Sequence, residues 1–413
     1  MSTKKHILFV DDEPLVIEGL RRMLRKFRGE WDMEFVNSGP DALARMAASP
    51  YDVIVSDIRM PGMDGAELLE RVVKLHPATA RIVLSGHAGE DSTQRALKVA
   101  HRFLAKPTDA DAIRNAVAEA CGAQQIVGDD HLRGLVAGCN SLPSAPAVYL
   151  ELTKAIESEK SDAKQIAAII SRDMAMSAKI LQMVNSSFFG IGRRISSVEH
   201  TVALLGLIRL RALVLGEQIF RQFVPPREVP GFSIDWLWRH SMAVAELARQ
   251  ISRAEKQEGD RPDQAFTAGL LHDLGLLVLA ARQFEKFAEV LTRARAQQRP
   301  IHEVEKEMMG VTHEDVGAYL LRLWGLPPRI IEAVELHHRP AQVEFDGLCA
   351  LSVVHVADVL VHELNAPEDD AGRAAWFAPV DEAYLSRLKL SDRYSHWREL
   401  GVKACGQPEG ATK

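Results

Sequence analysis

Over the first 122 residues, short apolar runs alternate with amphipathic stretches at regular intervals. The runs are His6 to Val10, Met33 to Val36, Asp52 to Ser56, Arg81 to Leu84 and Arg102 to Ala105; the stretches lie near 14–27, 39–48, 64–75, 90–100 and 109–121. Five strands alternating with five helices predict an α/β doubly wound domain, its five-stranded parallel sheet covered on both faces. From Pro146 the period changes. Apolar residues recur at three and four, as in Val148, Leu152 and Ile156, and no strand alternation returns, which predicts an all-α bundle. A polar, glycine-containing break places a linker at 123–132, a helical domain at 133–340, and a helical extension with a frayed tail at 341–413.

Three stretches of the bundle carry sharper expectations. NSSFFG, 185–190, reads as a helix end, with Asn185 capping and packing rather than touching a ligand. SSVEHTVALLGLIRLRALVL opens a helix on Ser196 with the serine and glutamate of a capping box. FTAGLLHDLGLLV, Phe266 to Val278, reads as a single buried helix with His272 and Asp273 set into an apolar wall. A carboxylate there requires a cation, a metal or several donors to meet it.

Composition adds little to this picture. The hydrophobic fraction of 47% and the charged fraction of 26% are those of a folded chain, and 413 residues exceed one ordinary core. A net charge of −6 with both signs mixed offers no field for nucleic acid or an anionic membrane surface. The four cysteines show no paired spacing, which fits a reducing, cytoplasmic compartment. The N-terminus has five apolar residues before three acids, which does not predict a secretory signal.

Function in a doubly wound sheet gathers at the carboxyl ends of its strands. Here those ends carry Asp11-Asp12, Asp57, Ser85, and Lys106 before Pro107. Converging carboxylates call for a divalent cation, and oxygen-only ligands suit magnesium. The set DDE, SDIRMPGMDG, LSG and AKP, in this order, resembles the receiver domain of two-component response regulators. The resemblance implies that Asp57 accepts phosphate from a sensor histidine kinase, and that Asp11, Asp12, Asp57 and the carbonyl of Arg59 hold Mg2+. It further implies that Ser85 and Lys106 contact the phosphoryl group, that Phe103 is the switch aromatic, and that Pro107 follows a cis peptide.

In the helical part, His240, His313, His337, His338 and Asp358 lie on apolar helix faces, as His272-Asp273 do. Imidazole and carboxylate together suit zinc, iron, nickel or manganese, in number enough for two ions. A two-metal site activates water against a phosphate ester. A buried His–Asp hydrogen-bond network without metal satisfies Asp273 equally well. The order His240, His272-Asp273, His313, His337-His338, Asp358 is similar to the HD superfamily and its HD-GYP phosphodiesterases. The fuller match, through LPSAPAVYLEL, MVNSSFFG, LLHDLG and VTHEDVGAYLLRLWGLPPRIIEAVELHHRP, is to the HDOD output domain. Where the HD-GYP pattern has a phosphate-binding lysine this chain has Leu276, and RPAQVEFDGL replaces the GYP segment.

The expectation is a regulator in which phosphorylation of Asp57 changes the receiver's contacts with the helical domain or with a second receiver, in a phosphorylation-dependent homodimer. The downstream partner is unnamed. The alternative is a metal-dependent phosphodiesterase acting on a cyclic nucleotide or cyclic di-GMP.

Overall fold

The computed structural model describes residues 4–85, 95–96, 99–125, 147–157, 163–185, 195–344, 347–365 and 379–405. The chain divides into two compact units, one over 1–158 with 319–326 and one over 159–318 with 327–413.

The N-terminal sheet holds β1 (Lys5–Val10), β2 (Trp31–Val36), β3 (Val53–Asp57), β4 (Ala80–Ser85) and β5 (Arg102–Ala105) in the order β2-β1-β3-β4-β5. Every neighbouring pair is parallel. Helices α1 (Pro14–Met23), α2 (Gly39–Ala48), α3 (Gly65–Leu75) and α4 (Ala110–Gln125) connect the strands or close the domain. Local chemistry sets several starts: Pro14 opens α1, the Ser38 side chain accepts from the Asp41 N–H, and that of Asp64 accepts from the Glu67 N–H. The central strands are buried on both faces, with Ile7, Leu8, Phe9, Val53 and Ile54 fully enclosed, as parallel sheets require. Helix α4 runs to Gln125, three residues into the expected linker; the rest of the linker and most of 90–100 lie outside the described residues.

Beyond the linker the described chain is helical throughout, starting with α5 (Ala147–Glu157). In the second unit α6 (Ala163–Ser171), α7 (Met174–Val184), α8 (Val198–Leu205) and α9 (Leu207–Gln222) come first. Asn185 follows α7; its amide donates to the Leu181 and Ile195 carbonyls and accepts from the Ile195 N–H, each at 2.7 Å. This is the capping and packing role expected; Gly190 lies outside the described residues. The helix expected from Ser196 departs from expectation twice. Ser197 is the N-cap, its side chain accepting from the His200 N–H, and the helix breaks at Gly206, whose φ of +77° side-chain-bearing residues avoid.

The site is built by α10 (Ile234–Ala254), α11 (Arg261–Leu271), α12 (Leu274–Arg282), α15 (His313–Leu323), α16 (Pro328–Leu336) and α17 (Ala350–Leu364); α13 (Phe284–Gln297) and α14 (Ile301–Met309) lie between α12 and α15 in sequence. Helix α10 packs on α11 and α17, and α16 on both of those. Residues 351–361 of α17 are all buried, so this helix is a core element rather than an appendage. Two further helices, α18 (Glu382–Arg387) and α19 (Tyr394–Cys405), complete the unit. The Trp397 indole N–H donates to Glu255 Oε1 at 2.8 Å and Arg393 pairs with the same carboxylate, fastening the extension to the end of α10.

The stretch expected as one buried helix over 266–278 is two, α11 and α12, with His272 and Asp273 in the turn between them. Tertiary packing forces the break. A Cβ on Gly275 would stand 1.9 Å from the His313 carbonyl oxygen, so α12 begins in direct backbone contact with the start of α15. Taken together, residues 261–282 are long and apolar enough to cross a membrane by composition, yet 89% of their apolar window is buried inside the protein.

Candidate functional site

At the carboxyl edge of the sheet, Asp11 is buried just after β1 and Asp57 ends β3. The Lys106 ammonium lies between them, 2.7 Å from Asp11 Oδ2 and 2.9 Å from Asp57 Oδ2. Burial alone would lower the Lys106 pKa, but the two carboxylates outweigh it and raise it. Backbone donors fix the acids: the Glu13 N–H reaches Asp11 Oδ1 at 3.0 Å, and the Ile58 N–H reaches Asp57 Oδ1 at 2.7 Å. Asp12 is half-buried and Arg59 exposed. Phe103 is half-buried and packs on the core, Lys106–Pro107 is a cis peptide, and Ser85 ends β4 opposite Ala105, with its side chain outside the described residues. Oxygen donors gathered beside a lysine suit a hard divalent cation and a phosphoryl group on Asp57.

In the helical unit all the expected residues come together. His240, His272, Asp273, His313, His337 and Asp358 are between 0 and 5% exposed; His338 is half-buried. Asp273 stands at the centre. Its Oδ2 lies 3.2 Å from His272 Nε2 and 3.7 Å from His240 Nε2, while Oδ1 lies 3.3 Å from His313 Nε2 and 3.6 Å from His337 Nε2. Asp358 closes the first group, with Oδ1 3.0 Å from His240 Nε2 and 3.5 Å from His272 Nε2.

The opposite ring nitrogens are anchored. Nδ1 of His272 meets the Gly269 carbonyl and Nδ1 of His337 the Val334 carbonyl, each at 2.8 Å, and Nδ1 of His313 meets Glu305 Oε2 at 2.7 Å. An imidazole that donates through Nδ1 presents the lone pair of Nε2, which is how metal-ligating histidines are commonly oriented. Consistent with that, His313 Nε2, His337 Nε2 and Asp358 Oδ1 are buried without a hydrogen-bond partner, despite neighbours within 3.0–3.6 Å. The donors fall into overlapping sets suited to an ion, one of Asp273, His313, His337 and His338 and one of His240, His272 and Asp273.

Charge follows the same layout. Burial alone would raise the Asp273 pKa, but His272, His313 and His337 hold it well below the carboxylate range. Burial would likewise lower His272, but Asp273 and Asp358 push it up to about 10, whereas burial and His362 push His240 down to about 4. The Nε2 atoms of these two rings lie 3.3 Å apart.

Residues 7–118 match the response regulator receiver domain family and residues 142–340 match the HDOD domain family. The chain carries a receiver domain followed by an HDOD domain. An uncharacterized protein of Treponema pallidum is 26% identical over 227 residues, 55% of this chain and 43% of that protein. The hydrogenase transcriptional regulatory protein HoxA of Cupriavidus necator is 34% identical over 134 residues, 32% of this chain and 27% of that protein. The chain thus spans less than half the length of these curated relatives. A crystal structure from Shewanella amazonensis described as a putative phosphohydrolase shares the fold, with 22% identity, a TM-score of 0.50, and coverage of 67% of this chain and 96% of that one.

The HDOD match stops at 340, yet α17 beyond it supplies Asp358. Four further side chains stand around the HDOD site without a place in the sequence reading. Glu305 orients His313 through both its backbone N–H and Nδ1, and Glu314 is fully buried beside it. His302 stacks on His338 at 4.4 Å. His362 lies one turn past Asp358. The i,i+4 spacing of Asp358 and His362 was the available signal; the glutamates offered none, because acids in a helix usually face water.

Proposed function

We propose that the protein is a cytoplasmic phosphorelay response regulator in which phosphorylation of Asp57 by a sensor histidine kinase, with Mg2+, sets the state of an HDOD signalling domain. The observation that carries this reading is the placement of the Lys106 ammonium between Asp11 and Asp57. An ammonium there pairs a phosphoryl oxygen once Asp57 is modified, while Asp11, Asp12, Asp57 and the Arg59 carbonyl hold the cation. A small local change of charge then biases a two-state element. The test is phosphorylation by a small-molecule phosphodonor with Mg2+, followed by mass spectrometry and by size-exclusion of the beryllofluoride-treated protein. Wild type gains one phosphoryl group and changes its oligomeric state; Asp57→Ala does neither. Wild type that takes no phosphate would refute the reading.

The same reading gives the HDOD site two cation positions sharing Asp273, one with His240, His272 and Asp358, the other with His313, His337 and His338. The buried, unpartnered Nε2 atoms of His313 and His337 favour this over a closed hydrogen-bond network. Zinc, iron, manganese or nickel suits the donors. Bound ions would supply Lewis-acid activation of water, and so the second reading is a phosphodiesterase acting on a cyclic nucleotide or cyclic di-GMP, in line with the description of the Shewanella protein. Against hydrolysis stands Leu276, buried at 1% exposure where the catalytic pattern needs a phosphate-binding lysine. Metal analysis of protein purified without chelator, alongside assay of cyclic dinucleotide hydrolysis, separates the two: the signalling reading predicts bound metal without turnover.

A further inference from the structure

The His362 imidazole at the HDOD site has no role in that reading. His362 stands four residues past Asp358 on α17, its Nε2 3.3 Å from Asp358 Oδ1 and its side chain 10% exposed. Its ring centroid is 4.3 Å from that of His240. Donor atoms of His240, Asp358 and His362 all lie within 4.8 Å of one another. Three Nε2 atoms therefore crowd one carboxylate oxygen, at 3.0 Å from His240, 3.3 Å from His362 and 3.5 Å from His272. That oxygen is buried and has no hydrogen-bond partner of good geometry. Donors held at such distances are spaced as ligands of one ion: two atoms each about 2.1 Å from a metal stand at most about 4.2 Å apart.

We propose that His362 is a further metal ligand, completing the first cation position at its Asp358 end together with His240. The proposal rests on the cation reading above. It places a donor outside the 142–340 family match, on the helix that also supplies Asp358. A reporter lies beside it. The Trp236 indole stacks on His240, with centroids 5.2 Å apart and planes 9° apart, and its centroid is 6.0 Å from that of His362. Cobalt bound there quenches Trp236 emission.

The experiment titrates chelator-treated full-length protein with Co2+, following the visible ligand-field bands and tryptophan emission. The proteins are wild type, His362→Ala, His362→Glu and Trp236→Phe; the last assigns the quenching. His362→Ala is expected to weaken one of two uptake steps by at least about tenfold, the scale on which even outer partners of a metal matter. Its visible bands shift and the Trp236-dependent quenching falls, while the other step is unchanged. His362→Glu, which offers an oxygen donor but cannot act as a cationic partner of Asp358, restores uptake. Titrations of His362→Ala that match wild type in both signals would overturn the proposal and leave His362 as an ion-pair partner, with the cation reading intact. Wild type that takes up no Co2+ would overturn both. Should His362→Ala fail to fold, His362→Glu decides: folded with uptake supports the ligand role, folded without it overturns it.

Discussion

Asp273 serves two groups through its two oxygens, Oδ2 toward His240 and His272 and Oδ1 toward His313 and His337. Asp273→Asn keeps the volume and removes the charge, leaving His272 with Asp358 as its one nearby carboxylate and His313 with Glu305 and Glu314 on its far side. The expected cost is roughly 3–5 kcal/mol, read from urea unfolding, with loss of metal uptake at both positions. Titration of the metal-free protein follows with a definite sign. His272 is raised from 6.5 to about 10, so its stabilising contribution is complete below 6.5 and is lost as pH rises toward 10. His240 and His302 are lowered, mainly by burial, to about 4, so theirs is complete above 6.5 and is lost as pH falls toward 4. Chelator-treated protein should therefore be most stable near pH 6.5, as urea midpoints at about pH 5, 6.5 and 8.5 would show. Metal uptake should release protons and tighten as pH rises, because it requires His272 and His313 to give theirs up. In the receiver, Lys106→Ala leaves Asp11 and Asp57 facing each other without a cation. Because the ammonium is partly solvated, a loss of roughly 1–2 kcal/mol is expected, recovered on adding Mg2+.

At the scale of elements, the turn at His272 and Asp273 depends on how closely α12 meets α15. Gly275→Ala would drive a methyl into the His313 carbonyl, so a loss of at least about 2 kcal/mol is expected, with weakened metal uptake because His313 moves. Thermal melts and metal titration of this variant check both parts. This turn marks the limit of what the sequence revealed. The five strands were legible because short apolar runs recur at regular intervals between amphipathic stretches, and the inward-facing histidines were legible from helical period alone. The break at 272–273 was not, since FTAGLLHDLGLLV contains no proline and its apolar period continues through the turn. The backbone contact that interrupts it comes from His313, distant in sequence. At Gly206 the signal is local, a glycine set inside an apolar period that runs on past it.

For the whole chain, the two matched families account for a signal input and an output, while Asp358 and His362 lie in a helix past the end of the HDOD match. A chain truncated after residue 340 should therefore lose the first cation position even where it folds, which metal analysis would show as less bound metal than in the full-length protein. Hydrogen exchange of the full-length chain tests the proposed coupling between the state of Asp57 and the helical domain. With Mg2+ and beryllofluoride, wild type should show altered deuterium uptake in 234–254, 261–282 and 350–364 relative to Mg2+ alone, and Asp57→Ala should show none. Unchanged uptake in wild type, or the same change in Asp57→Ala, would rule out that coupling.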